Sequence, residues 1–429
     1  MAAVAAFFRT NQDSLLTFAV LSGERLLQMF VGLYVAGSIA RGFSHEQFAA
    51  WQVAFSMFLV VGTVCDVAHE RVVLPKLCSA EPGRLPAIWN SILVAKLVAG
   101  AASVLIILAW AGLAEQPEVL PLAMIWAAYL FLGEPVALAV FESYARENFT
   151  RPQASRVAAM TLRLLVVVAV VELHGGMLWM AVAWLAEIVL LNLLLCRGWL
   201  RRRRFRPSLV DREMVRWIFA QGCTLAIVAA ATVALTRVDR LLLGNSVPAQ
   251  ALSHYAASMN LLEAAFAFSA TLLTVVGAKS LFKAGPVAMA HHAQLVLFAA
   301  TIATAGAAFI FAVADPLVIF VFGSEYAPAA GYLRIGTWLL PLVFAQAILQ
   351  APLLLRASRK FHLAKALVAL CLGAAVASLV AAAGRYHLIS AGAYVGFAVL
   401  IAFDVFELRR RAGEVYRVRG QAAAGAWKT

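Results

Sequence analysis

Apolar runs long enough to cross a bilayer follow one another along the whole chain, and no other feature limits its fold as strongly. A helix rises about 1.5 Å per residue, so about 20 apolar residues span the hydrocarbon. The first run, LLTFAVLSGERLLQMFVGLYVAGSIA, is too long for a signal-peptide core and is interrupted by Glu24 and Arg25. It reads as an uncleaved first span. Only 13% of the residues are charged and 63% are hydrophobic, whereas soluble domains carry about a quarter charged residues. No soluble domain fits between the runs. The chain is therefore expected to be an all-α polytopic membrane protein.

Apolar periodicity and loop punctuation place roughly twelve spans, at 15–39, 48–68, 88–112, 119–140, 155–173, 177–196, 216–238, 251–276, 292–314, 331–355, 363–383 and 387–406. Proline and glycine mark the turns QPEV, HGG, GNSVP and GSEYAP. The longest basic run, RGWLRRRRFRP, falls halfway along. It separates an N-terminal six-helix lobe at 1–196 from a C-terminal one at 216–406, through a basic linker at 197–215, with a tail at 407–429. Both halves begin on the same side, so a repeat would be parallel. HEQFAAWQVAFSM and PAQALSHYAASMN echo each other faintly at matching points.

The net charge of +13 is spread in a way that writes topology. Arg71, Lys76, Arg84, Arg146, Arg151, Arg156, the central run, Lys279, Lys283, Arg356, Arg359, Lys360, Lys365 and the tail fall in one set of loops. The opposite loops hold few basic residues. The positive-inside rule then puts both termini in the cytoplasm. This alternation argues against nucleic acid as a partner, and the central run suits anionic lipid headgroups. Five scattered cysteines without CxxC spacing point to no metal site and no disulfide framework.

Ionisable groups nevertheless recur at membrane depth, where each costs several kcal/mol unless it faces water or a partner. Glu24, Arg25, Lys96, Glu134, Arg163, Glu187, Glu263 and Arg334 fall inside spans, and Arg237 and Asp239 end the seventh. Residues one or two apart on a helix do not face each other. Glu24 therefore cannot neutralise Arg25, nor Asp239 neutralise Arg237, and each needs another helix or water. A hydrated cavity between the halves, with cations prominent, accommodates them all; structural inter-helix ion pairs do so singly. Glu172, Asp315 and Asp404 lie near span ends and are expected to be solvated.

No Walker loop, GxSxG, HExxH or GxGxxG is present, so no catalytic residue and no bound cofactor is expected. Active transport would then run on an ion gradient, with a proton or sodium as coupling ion, on membrane potential, or on downhill flow of substrate. The NFT sequon at Asn148 falls in a loop assigned to the cytoplasm.

TRVDRLLLGNSVPAQALSHYAAS resembles the seventh-to-eighth span junction of the Wzx-type oligosaccharide flippases of bacterial polysaccharide biosynthesis. PLVIFVFGSEYAPAAGYLRIGTWLLP is similar to the segment joining their ninth and tenth spans. GFSHEQFAAWQVAFSM resembles their opening, although EQFAAWQ replaces the usual ExFGxY. The matching positions are Arg237, Asp239, Gly244, Tyr255, Gly323, Tyr326 and Arg334.

The resemblance implies the fold of the multidrug/oligosaccharidyl-lipid/polysaccharide exporter superfamily, two six-helix lobes around a V-shaped cavity that alternates between the two sides. It implies an undecaprenyl-pyrophosphate-linked repeat unit as substrate, moved from the inner to the outer leaflet of the bacterial inner membrane. Polymerase and glycosyltransferases of the same pathway are the implied partners. Diphosphate and sugars cannot shed water into hydrocarbon unaided, and arginine suits phosphate oxygens. On this reading Arg25, Lys96 and Arg163 contact the substrate, while Arg237, Asp239, Arg240 and Arg334 gate the outer mouth. Glu24, Glu134, Glu187 and Glu263 are the ion-coupling candidates.

Four rival readings follow from the same residues. An ion-coupled drug antiporter of the same fold would favour an acid-rich cavity. A lipid II flippase would usually carry fourteen spans. A polymerase or ligase acting on polyprenyl sugars would favour large external loops, and none exceeds roughly twenty residues. A scaffold would not need so many charges at depth.

Overall fold

The computed structural model describes residues 12–81, 83–113, 119–197, 205–244, 246–276, 287–356 and 358–426. Every regular element among them is helical. In chain order these are α1 (Gln12–Gly42), α2 (His45–Cys65), α3 (Glu70–Cys78), α4 (Leu85–Leu113), α5 (Val119–Ala145) and α6 (Thr150–Glu172). Next come α7 (Met177–Leu191, continued by a π turn, Asn192–Cys196), α8 (Arg212–Leu235), α9 (Val238–Leu243), α10 (Ala249–Val276) and α11 (Val287–Ala312). The chain ends with α12 (Ala314–Phe322), α13 (Ala329–Gly336), α14 (Leu339–Arg356), α15 (Arg359–Ala382) and α16 (Ala391–Ala426).

Each of the twelve expected spans is occupied by a helix, the tenth by α13 and α14 together. Among the described residues, ten helical segments are long and apolar enough to cross a membrane, and Leu26–Gly42 is a shorter apolar one. Leu105, Leu165, Phe309 and Phe320 are largely exposed, as befits helices solvated by lipid.

Helix ends follow local chemistry. Ser44 opens α2 with a capping box: its hydroxyl accepts from Gln47 N at 3.2 Å, and the Gln47 side chain accepts from Ser44 N. Asp211 Oδ1 accepts from the backbone N–H groups of Glu213 and Met214 and so starts α8. The segment before it is pinned to α4, because Asn90 Oδ1 accepts from Arg206 N and Ser91 Oγ from Asp211 N, both at 2.9 Å.

The chain divides into two compact units. The first comprises Met1–Val233, Pro248–Ala257 and Val321–Glu325, and the second comprises Ala234–Val247, Ser258–Phe320 and Tyr326–Thr429. In the first, Val72, Val73, Trp89, Ile92, Leu138 and Ile218 form one apolar core, and Val140, Ala159, Ile188 and Leu195 another. Here α8 crosses the break after α2 so closely that a Cβ on Gly222 would overlap the Val67 carbonyl. In the second, Leu235, Leu339, Val343, Phe397 and Leu400 form a core beside the α15–α16 pair. Gly373 and Gly392 face each other there, and a Cβ on Gly373 would stand 2.8 Å from the Gly392 carbonyl oxygen. Small residues at such points let membrane helices approach closely without a hydrophobic driving force.

Candidate functional site: ion pairs inside the spans

The charges that lipid would reject are joined, helix to helix, within each unit. In the first unit, Lys96 of α4 is 2% exposed, and its Nζ lies 3.0 Å from Glu134 Oε2 of α5 and 3.5 Å from Asp66 Oδ1. Glu134 has room because its neighbour on α4 is Gly100, where a Cβ would stand 3.0 Å from Glu134 Cγ. Pro135 follows Glu134, so the Phe131 carbonyl loses its helical donor at this level. Asp66 is the C-cap of α2; its side chain is 38% exposed, and the His69 ring stands 3.9 Å away. One lysine thus faces two carboxylates, and the cluster opens to the surface through Asp66.

A second, enclosed pair joins α6 to α7. Arg163 Nη1 donates to Glu187 Oε2 at 2.6 Å, and both side chains are buried. The Arg163 guanidinium also lies 4.8 Å from the centre of the Trp184 ring, one turn before Glu187. Trp184 packs among Trp51, Phe55 and Trp126, with ring centres 5.3–6.2 Å apart. The aromatic wall keeps water off the pair, which strengthens its attraction and raises the cost of leaving either member alone. Glu24 of α1 is also buried. The Arg25 side chain lies outside the described residues, as do those of Arg71 and His291, and so do Arg201 to Arg204, Lys279 and Lys283.

In the second unit, Arg237 and Arg240 both donate to Glu263 of α10, one to each carboxylate oxygen. Asp239 Oδ1 accepts from Arg240 N at 2.7 Å, and the Arg240 guanidinium also donates to the Thr236 carbonyl. The sequence TRVDR therefore breaks the helix at Arg237, folds the short α9 beside it and ties both arginines to α10. Arg334, which is half-buried, pairs with the exposed Asp315. Lys365 of α15 and Asp404 of α16 form the most enclosed pair, at 2% and 0% exposure.

These positions correct some expectations and extend others. Lys96 and Arg163 sit opposite Glu134 and Glu187, so residues expected to bind substrate and residues expected to couple ions are each other's partners. Lys96, Arg163, Arg237, Arg240, Arg334 and Lys365 are each balanced by a carboxylate, rather than standing in the excess that the sequence suggested. Asp404, expected to be solvated, is buried because Lys365, expected in a loop, lies inside α15 and needs a counter-ion. Asp66 drew no attention in the sequence, although it falls just inside the end of the expected span 48–68. Among the described residues, no group of three or more His, Cys, Asp or Glu is placed to hold a metal ion.

Residues 84–331, more than half of the chain, match the sequence model of a family described as polysaccharide biosynthesis protein. No curated protein gives a significant match. Among solved structures, the chain is similar to a lipid II flippase, MurJ, in an inward closed conformation. The TM-score is 0.70 at 11% identity, over 92% of this chain and 87% of that one. It is also similar to an inward-facing multidrug resistance MATE family transporter of the MOP superfamily, with TM-score 0.65 and 15% identity over 91% of this chain and 95% of that one. A MOP superfamily transporter from Pyrococcus furiosus gives a TM-score of 0.58 and 16% identity, over 92% and 95%. At such identities the likeness is one of fold, and the fold is the one the resemblance implied.

Proposed function

Because the chain belongs to the polysaccharide biosynthesis protein family, we propose that it is a flippase for undecaprenyl-diphosphate-linked oligosaccharide repeat units. It moves them from the cytoplasmic to the outer leaflet of the bacterial inner membrane by alternating access, with both termini in the cytoplasm. The observation that carries this reading is the family match from the start of α4 into α13, on a fold shared with a lipid II flippase. The chemistry supports it. A diphosphate bearing several sugars loses its hydration in hydrocarbon, and cations at membrane depth supply replacement contacts.

In this proposal, Lys96, Arg163 and Arg25 contact the diphosphate, and Glu24, Glu134, Glu187 and Glu263 exchange a proton or sodium. Since Lys96 rests on Glu134 and Arg163 on Glu187, binding and coupling are one exchange. Neutralising a carboxylate frees its cation, the phosphate oxygens take that cation, and release of the headgroup restores the pair. Arg237, Asp239, Arg240 and Arg334 keep a gating role in which α9 moves with α10, because Glu263 holds Arg237 and Arg240. Glycosyltransferases and a polymerase act before and after the flip.

Cells lacking this protein should accumulate lipid-linked repeat units in the inner leaflet and lose the corresponding surface polysaccharide. Unchanged surface polysaccharide, with no such accumulation, would remove the proposal. A second reading, an ion-coupled small-molecule antiporter, is favoured by one observation: the Lys96 cluster holds two carboxylates for one lysine, with Asp66 open to the surface. Uptake of organic cations by vesicles containing the protein, driven by a proton or sodium gradient, would select it.

A further inference from the structure

The helix α2 ends at Cys65, and the chain turns helical again only where Glu70 starts α3. In between, Asp66 N donates to the Thr63 carbonyl at 3.4 Å and Val67 N to the Cys65 carbonyl at 2.8 Å, and neither is an α-helical bond. This break lies at membrane depth. Asp66 Oδ1 is 3.5 Å from Lys96 Nζ, and Lys96 stands eleven residues from the start of α4, roughly 16 Å along its axis. Glu134 stands eleven residues from the end of α5 that lies on the same side, and it is 3.0 Å from the same ammonium. The three groups therefore share one level.

Irregular backbone at membrane depth is tolerated only inside protein or beside water, and a carboxylate open to hydrocarbon is costly. Asp66 and His69 are nonetheless 38% and 42% exposed at the break, so the break lines a wet recess. Lys96 is enclosed, with the Phe141 ring centre 5.3 Å from its ammonium. It touches the open carboxylate of Asp66 and the more sheltered one of Glu134 at once. Lys96 is the sole charge on α4. The other ionisable groups close by on the packed elements are Cys65 before Asp66, Glu70 after His69, Glu142 held by Arg146, and Cys223 beside Gly222 on α8. A sodium ion at the two carboxylates would meet the ammonium and lack the shell of oxygens that hard cations take, whereas a proton needs a single lone pair.

We propose that Asp66 is the port through which the coupling site exchanges protons with the cytoplasmic side, and that Lys96 relays each proton between Asp66 and Glu134. The inference rests on the flippase reading above and names its coupling ion and route. In the release direction, Lys96 Nζ passes one proton to Asp66 Oδ1 and regains one from the protonated Glu134 Oε2. Glu134 becomes a carboxylate, Lys96 is an ammonium again, and Asp66 gives its proton to water in the recess. Uptake runs the same steps backwards. While Glu134 is protonated, the remaining counter-ion of Lys96 is Asp66, on the wet side of the cluster. There a phosphate group of the substrate can compete for the ammonium.

The full chain is reconstituted in sealed vesicles with a fluorescent polyprenyl-diphosphate oligosaccharide. Flipping is timed under a pH gradient, under a sodium gradient and under neither, and the readout is the ratio of driven to undriven rate. In wild type the pH gradient should raise the rate several-fold and the sodium gradient should leave it unchanged. Asp66→Asn should bring the ratio under a pH gradient close to one, and Asp66→Glu should restore it. Lys96→Arg keeps the charge for both carboxylates, but a guanidinium does not give up its proton, so this variant should also lose the stimulation. Arg146→Gln, at an exposed arginine paired with Glu142, is the control and should keep it. Full stimulation in Asp66→Asn would overturn the port, and full stimulation in Lys96→Arg would overturn the relay; either result leaves the flippase reading standing. Wild-type flipping driven by sodium, or indifferent to both gradients, would likewise overturn this inference alone. A wild type that flips no lipid-linked oligosaccharide would overturn both readings.

Discussion

Replacing Glu187 by glutamine leaves Arg163 charged, buried and facing a neutral amide behind the Trp51, Trp126 and Trp184 rings. Two unit charges with centres about 4 Å apart attract by about 4 kcal/mol at an effective dielectric of about 20. Removing one member of a buried pair costs about 3–5 kcal/mol, because the other keeps its desolvation penalty. In a unit of this size that lowers the melting temperature by roughly 6 to 20 °C. The double variant Arg163→Gln/Glu187→Gln removes the stranded charge, so it should melt above Glu187→Gln and close to wild type. Differential scanning fluorimetry in detergent measures this, and the emission of Trp184, 4.8 Å from the guanidinium, reports the site. Melting of Glu187→Gln within about 2 °C of wild type, or simple additivity in the double variant, would refute the reasoning.

Three further outcomes follow. Lys365→Met leaves Asp404 buried and alone, which should cost about 3–5 kcal/mol, whereas Lys365→Met/Asp404→Leu should recover most of it; detergent melting curves decide. Gly222→Leu must push α8 away from the Val67 carbonyl, so folded protein should fall sharply on size exclusion, while Gly306→Ala, which meets nothing, should be neutral. Glu134→Gln should make transport in vesicles indifferent to the coupling-ion gradient while Lys96 remains held by Asp66; unchanged gradient dependence would rule Glu134 out.

The helices were legible because lipid makes a simple demand. A run of about twenty apolar residues must span, and each of the twelve expected runs holds a helix. The deep charges were legible for the same reason, since Lys96, Arg163 and Glu187 stand out against apolar neighbours. Which charge meets which was not legible. Lys96 finds Glu134 and Asp66 through the packing of three helices, and no spacing within one helix encodes that. Residues near span ends misled the reading, because hydropathy places a boundary only within a turn or two. Lys365 and Arg156 looked like loop residues, yet each lies six residues inside its helix, far enough for burial. Asp404 followed Lys365 inward, since a buried ammonium requires a counter-charge.

Reconstitution into sealed vesicles tests the central claim most directly. A fluorescent polyprenyl-diphosphate oligosaccharide is placed in both leaflets, and a membrane-impermeant quencher is added outside. Vesicles containing the protein should lose nearly all fluorescence, in a protein-dependent manner that an excess of unlabelled lipid-linked oligosaccharide slows. Protein-free vesicles should keep about half. Equal retention in the two preparations would contradict the account.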